Sequence, residues 1–71
     1  MQCKQWVATE YMVKKGKFVR TGFVEWYFAS DIESAYFSLL YTRNLYSPAV
    51  RRGDSVIATK PKRIWTICPE V

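Results

Sequence analysis

The clearest amphipathic signal in the chain comes from Ser30-Asp31-Ile32-Glu33-Ser34-Ala35-Tyr36-Phe37-Ser38-Leu39-Leu40. This segment begins with a capping box. In this motif the Ser30 side chain accepts from the backbone N–H of Glu33, and the Glu33 side chain accepts from the backbone N–H of Ser30. Behind the box, apolar residues recur with the spacing of one helical face: Ile32, Ala35, Tyr36, Leu39 and Leu40. The sequence therefore predicts an amphipathic helix that begins at this box and buries that stripe.

Further residues indicate the width of the apolar stripe and the C-terminal end of the helix. Phe37 and Tyr41 stand beside the apolar stripe, and we expect them to widen it. Asn44 is a plausible C-cap, and Pro48 follows shortly after it, so the helix is expected to end near residues 43–44.

On the N-terminal side of the helix, the sequence predicts a β-hairpin. Residues 5–13 and 17–28 are rich in aromatic and β-branched side chains, which are typical of strands. Lys14-Lys15-Gly16-Lys17 reads as the turn between them, with Gly16 able to adopt a positive φ. Gly22 interrupts the second strand and predicts a bulge.

On the C-terminal side, residues 46–53 read as a loop and residues 55–59 as a third strand. Residues 63–68 are again β-prone, and Pro61 marks an edge, a bend or a turn before them. The predicted fold is α+β, in one domain over residues 1–71: an antiparallel sheet of three or four strands (ββαβ or ββαββ) with one amphipathic helix packed on one face.

Composition disfavours an enzyme. The chain has 71 residues and no histidine, which excludes Ser-His-Asp catalysis and every metal site that needs histidine. The glycines form no phosphate loop. Cys3 and Cys68 lack Cys-x-x-Cys spacing, so we expect two free thiols in a reducing compartment, with a bridge between terminal strands left open. We expect no catalytic residue, no metal and no cofactor.

The density of large apolar side chains raises the possibility of self-association. Twelve of the 71 residues are aromatic, and both faces of the predicted strands carry apolar groups. A single helix covers one face, so a homodimer through the other face is possible. The sequence does not say which face the helix covers, because the hairpin register depends on Gly22.

The excess positive charge lies after the helix. Residues 43–63 hold six basic residues and one acidic residue, and 6 − 1 = +5 equals the net charge of the whole chain. A second basic group lies at the predicted hairpin tip: Lys14, Lys15, Lys17 and Arg20. This charge is compatible with a solvated surface, with phosphate neutralisation on nucleic acid, or with docking to an acidic protein surface.

Three motifs resemble those of the small bacteriophage-encoded inhibitors of host bacterial RNA polymerase. Trp6-Val7-Ala8-Thr9 resembles their aromatic-Ala-Thr opening strand, and Ala29-Ser30-Asp31-Ile32-Glu33-Ser34-Ala35 resembles their Ala-Glu-Thr-Leu-Asp-Glu-Ala helix start. Thr59-Lys60-Pro61-Lys62 resembles a Thr-Arg-x-Arg element on their last strand. The resemblance implies a ββαβ fold and a polymerase contact at Lys60 and Lys62.

These observations predict a small non-enzymatic inhibitor of phage type that binds a host protein or protein–nucleic acid complex. RNA polymerase is the first target, and another nucleic-acid enzyme or a host-defence complex is possible. No apolar run reaches the roughly 18 residues of a membrane helix, so we expect no membrane partner and a location in the host bacterial cytoplasm. The alternative is direct DNA or RNA binding. The predicted contact residues are Arg51, Arg52, Lys60, Lys62 and Arg63, with Tyr46 and Trp65 as aromatic anchors.

Overall fold

The computed structural model describes residues 3–43, 49–59 and 62–70, without the side chains of Arg43 and Thr59. In these ranges the chain forms five strands and one helix: β1 (Lys4–Lys14), β2 (Lys17–Ala29), α1 (Ile32–Arg43), β3 (Val50–Arg52), β4 (Ser55–Thr59) and β5 (Lys62–Pro69). The predicted α+β class, an antiparallel sheet with one helix, is confirmed.

The strand count is higher than predicted, since the sheet has five strands rather than three or four. The additional strand is β3, which lies inside the segment expected to be a loop. It has three residues, too short for alternation to show, and the Gly53-Asp54 turn joins it to β4. The β4–β5 hairpin, one of the two arrangements left open, is present with Thr59 opposite Lys62, and Pro61 lies outside the described residues.

The strand order is β2-β1-β5-β4-β3. Because β2 and β3 form opposite edges, the connection through α1 crosses the whole width of the sheet. The helix is thereby laid over one face, and it contacts β2, β5 and β1. We call this the covered face.

The β1–β2 hairpin has the turn that the sequence predicts. Lys15 and Gly16 both have positive φ, 52° and 75°, which is the conformation of a two-residue type I′ turn. The predicted bulge at Gly22 is also present: β2 takes four steps from Val24 to Arg20 where β1 takes two from Thr9 to Tyr11. This even difference leaves the alternation of side chains between the two faces unchanged.

The core lies between α1 and the covered face. Ala35 and Leu39 are fully buried, and Ile32 and Tyr36 pack against the core, which confirms four of the five residues of the predicted apolar stripe. The fifth residue, Leu40, is half-buried. The sheet contributes aromatic and small residues: Trp6, Ala8, Tyr27, Ala29, Val56, Ala58, Trp65 and Ile67. Burying large side chains of this kind contributes about 1.5–3 kcal/mol each.

The expectation that Phe37 and Tyr41 widen the buried stripe is wrong. They are 58% and 89% exposed. Each lies two positions from Leu39, and in a helix of about 3.6 residues per turn that separation turns a side chain to the opposite side.

The N-terminus of α1 is capped by Asp31, so the prediction that Ser30 is the cap is also wrong. The helix begins at Ile32, and the Ser34 N–H donates to Asp31 Oδ1 at 2.9 Å. That hydrogen bond holds the pKa of the Asp31 carboxyl below its usual value. Glu33 lies in the first turn, where it suits the helix dipole.

A buried carboxylate joins three elements on the covered face. Glu10 is 2% exposed. Its Oε1 accepts from Thr21 Oγ1 at 2.6 Å, and its Oε2 accepts from Trp65 Nε1 at 2.9 Å. Arg63 Nε lies 4.0 Å from Oε1. The Glu10 side chain therefore links β1 to the bulged part of β2 and to β5.

Candidate binding surface on the open face of the sheet

The face of the sheet opposite α1 has no helix over it, and we call it the open face. Because side chains alternate along a strand, it is formed by the odd-numbered residues of β1 and β4 and the even-numbered residues of β2, β3 and β5. Of the nine large hydrophobic residues that are exposed in the described part of the chain, six lie on it: Val13, Phe18, Trp26, Phe28, Val50 and Ile57.

The strand register aligns one row of side chains across the whole open face. Tyr11 of β1 lies opposite Arg20 on one side and Ile64 on the other. Ile64 in turn lies opposite Ile57, and Ile57 lies opposite Val50. The middle of the open face is therefore continuously apolar from β1 to β3, with one cation at its β2 end.

The aromatic side chains of the open face lie on β2, the long edge strand. Phe28, Phe18 and Trp26 are 74%, 66% and 50% exposed. Trp26 and Phe28 are near one end of the strand, and Phe18 is near the hairpin tip. Such accessible rings bury large apolar areas when a partner covers them.

A concavity of about 350 Å³ lies in the middle of the open face. Its lining comes from four strands: Tyr11, Phe18, Ser55, Ile57, Ile64 and Thr66. No charged residue is among them. The concavity is thus a mainly apolar depression with hydroxyl groups in its wall.

Charge is divided between the two faces. Arg20, Arg52 and Lys62 occupy open-face positions on β2, β3 and β5. The carboxylates of the described strands, Glu10 and Glu25, occupy covered-face positions. The open face of the strands is therefore cationic, whereas the covered side holds both signs.

The predicted contact residues are not brought together on one surface. Arg52 and Lys62 lie exposed on the open face, whereas Arg51 and Arg63 are on covered-face positions. Arg51 Nη2 donates to Glu33 Oε2 at 2.9 Å, and Arg63 is 4.0 Å from the buried Glu10 carboxylate. Lys60 and Tyr46 lie outside the described residues. The prediction of one contact surface that includes Arg51 and Arg63 is therefore wrong.

The prediction that Trp65 is an aromatic anchor for a partner is wrong as well. Its side chain is 0% exposed, and its indole N–H donates to Glu10. Trp65 lies on β5, the middle strand of the sheet, at a position that points towards α1. It is a core residue.

The predicted basic group at the hairpin tip divides in two. Lys14, Lys15 and Lys17 are exposed at the turn itself. Arg20 lies further along β2, opposite Tyr11, and belongs to the open face.

The contact residues predicted from the sequence did not include those that define the candidate surface, above all Phe18, Trp26 and Phe28. Their shared signal is that they occupy alternate positions of β2, the even-numbered ones. The sequence alone does not place these positions on the open face. The structure does so, because the bulge preserves the alternation of side chains and α1 covers the odd-numbered positions of β2.

The described residues include no candidate metal-binding cluster and no candidate membrane-spanning helix. In residues 3–43, 49–59 and 62–70, no group of three or more Cys, Asp and Glu is placed to hold a metal ion. Cys3 and Cys68 are exposed free thiols. No helix in the described part of the chain is long and apolar enough to cross a membrane.

Comparisons with protein-family models, with curated proteins and with solved structures find no match to this chain. The resemblance to phage inhibitors of RNA polymerase therefore stays a prediction that rests on its sequence motifs.

Proposed function

We propose that this chain is a non-enzymatic binding protein that docks on another protein, or on a protein–nucleic acid assembly, through the open face. The observation that carries the proposal is the combination of exposed aromatic side chains, an apolar middle row and cations on one uncovered sheet face. Apolar patches on small domains mark interaction sites. Flanking cations favour a partner surface with acidic groups and accelerate its encounter.

The mode of action that we propose is inhibition of a host macromolecular machine in the bacterial cytoplasm. The resemblance to phage-encoded inhibitors makes bacterial RNA polymerase the first target to test. Lys62, one of two positions that this resemblance assigns to polymerase contact, lies exposed at an open-face position. The other position, Lys60, lies outside the described residues.

The test measures binding to purified bacterial RNA polymerase and inhibition of its transcription. The open-face variant is Trp26→Ser with Phe28→Ser, which removes two exposed rings. The matched control is Phe37→Ser with Tyr41→Ser, which removes two exposed rings from α1 on the other side of the molecule. We expect the open-face variant to lose affinity by at least about tenfold and the control to bind like the original chain.

Thermal unfolding of both double variants checks that each remains folded. Equal affinity for the two variants would rule out the open face as the docking surface. If the original chain neither binds polymerase nor inhibits transcription, polymerase is not the target.

Direct binding of single-stranded nucleic acid is the second candidate function. It is favoured by Arg20 and Lys62 on the same face as the exposed rings of Phe18 and Trp26, since nucleic-acid platforms combine cations with stacking rings. A titration with a labelled thymidine oligonucleotide at several salt concentrations tests it. Strong affinity that falls steeply with the logarithm of the salt concentration would favour this second function.

A further inference from the structure

The concavity in the middle of the open face has the features of a preformed pocket. Its lining residues lie on β1, β2, β4 and β5, and the last two strands pair in regular register from Ser55–Thr66 to Thr59–Lys62. Its volume of about 350 Å³ lies at the lower end of the range of small ligand sites. Because paired strands fix its walls, little ordering entropy is lost when it is filled.

The chemistry of the lining selects an apolar occupant. Ile57 and Ile64 face each other across β4 and β5, and the rings of Tyr11 and Phe18 complete the apolar wall. The polar contribution comes from hydroxyl groups, including those of Ser55 and Thr66. A bulky aliphatic or aromatic side chain matches this lining, whereas a charged group would find no counter-ion in the pocket.

Cations surround the pocket without lining it. Arg20 lies opposite Tyr11, Arg52 lies opposite Ser55, and Lys62 precedes Ile64 by two residues on the same face. The open-face positions of the described strands hold no carboxylate. Segments that flank the inserted side chain therefore meet positive charge on three sides, and acidic flanks complement it.

The same charges disfavour a second copy of this chain as the occupant. Two open faces that pack against each other would bring Arg20, Arg52 and Lys62 of one copy close to the same cations of the other. Like charges brought together at an interface oppose association.

We propose that this concavity is the anchor pocket for one bulky apolar side chain carried on an acidic peptide segment of the protein partner. This inference rests on the proposed function, because it names the part of the partner that the open face recognises. The pocket supplies the apolar anchor site, and the three surrounding cations hold the acidic flanks.

The experiment uses a short synthetic peptide with a central Trp flanked on both sides by Glu, titrated into the isotopically labelled chain and followed by NMR and calorimetry. The control peptide replaces the Trp with Ser and keeps every charge. A thymidine oligonucleotide of matched length forms the third arm. We expect the Trp peptide to bind at least about tenfold more tightly than the Ser peptide and to shift the signals of Ser55, Ile57, Ile64 and Thr66.

Two chain variants locate the site. Ile57→Lys places a cation in the pocket wall, and Val50→Lys places the same charge on its cross-strand neighbour, which does not line the pocket. Because each substitution adds one positive charge to the open face, both raise the electrostatic attraction for an acidic peptide by the same charge. We therefore expect Ile57→Lys to weaken binding of the Trp peptide by about tenfold or more and Val50→Lys to bind it at least as well as the original chain. The shift mapping, which uses the original chain, decides the question if Ile57→Lys fails to fold.

Several results would overturn the anchor pocket. These are equal binding of the two peptides, shifts confined to residues outside the concavity, tighter binding of the oligonucleotide than of the Trp peptide, or a dimer of the chain that the peptide does not dissociate. The anchor pocket and the proposed function can be refuted independently of each other. If the peptide does not bind but the Trp26/Phe28 variant still loses polymerase affinity, the docking surface stands and the pocket inference falls.

Discussion

The covered face and the open face of the sheet carry similar kinds of side chain but differ in what surrounds them. Trp65 on the covered face is 0% exposed and its N–H is bonded to Glu10, whereas Trp26 on the open face is 50% exposed. On the covered face, two of the cations lie next to carboxylates: Arg51 pairs with Glu33, and Arg63 lies beside Glu10. Burial and ion pairing therefore support folding on the covered face, whereas the open face keeps exposed apolar groups and cations without carboxylates on its described strands, which are available for recognition.

Trp65 on the covered face and Trp26 on the open face should differ most in their contribution to stability. Trp65→Ala should lower the free energy of unfolding by about 3–5 kcal/mol, because it empties a filled core site and removes a hydrogen-bond donor from Glu10. Trp26→Ala should change it by no more than about 0.5 kcal/mol, the range of ordinary surface substitutions. Urea unfolding of both variants makes the measurement. A large loss with Trp26→Ala would mean that another surface already covers the open face in solution.

The next effect concerns the buried carboxylate that distinguishes the covered face. Glu10→Leu leaves the Trp65 N–H without its acceptor and also removes the partner of the Thr21 hydroxyl. The buried Trp65 N–H left unpaired costs about 1–3 kcal/mol, whereas the exposed Thr21 hydroxyl can bond to water, so a loss of about 1–3 kcal/mol is expected in urea unfolding. Glu10→Gln keeps a carbonyl acceptor and should lose less. A Glu10→Leu variant as stable as the original chain would show that apolar packing can replace this network without cost.

Local sequence signals predicted the elements that depend on near neighbours along the chain. The turn at Gly16, strand β4 and the stripe that includes Ala35 and Leu39 are examples, and each is confirmed. The face that α1 covers could not be predicted, because Trp6 and Val7 are both apolar and local alternation treats them alike. The connection from the β2 edge to the β3 edge places α1 over one face of the sheet, and the burial of Trp6 but not of Val7 shows which face that is.

The candidate site was predicted less well, also because the sequence does not show which face of the sheet each strand residue occupies. Counting charge along residues 43–63 places Arg51 and Arg52 together, but adjacent residues of a strand point to opposite faces. The short strand β3 therefore separates them, with Arg51 bonded to Glu33 and Arg52 on the open face. The assignment of charge to faces needs the strand register, and β3 is too short to reveal it.

Substitutions of these two adjacent arginines should have smaller effects, and the effects should differ between the two faces. Arg51→Gln should lower the free energy of unfolding by about 0.2–1 kcal/mol, because it breaks a partly exposed ion pair, and it should leave partner binding unchanged. Arg52→Gln should leave stability unchanged and slow association with an acidic partner, more so at low salt. Thermal unfolding and association kinetics measured side by side separate the two roles. The reverse assignment of effects would contradict the division of charge between the faces.

The smallest expected change in stability comes from the N-terminal cap of α1, the helix that covers one face of the sheet. The hydrogen bond from the Ser34 N–H lowers the pKa of the Asp31 carboxyl in the folded chain below its ordinary value of 3.8. The unfolded chain therefore takes up the proton first as the pH falls. The stabilisation from this cap is fully present well above pH 3.8, and it is lost as the pH falls through the lowered pKa. Asp31→Asn retains a capping oxygen without the charge, so its stability should lose this pH dependence. Unfolding midpoints of the two chains measured from neutral to acid pH should converge as the carboxylate is protonated. A constant difference across that range would show that the Asp31 charge does not stabilise the start of α1.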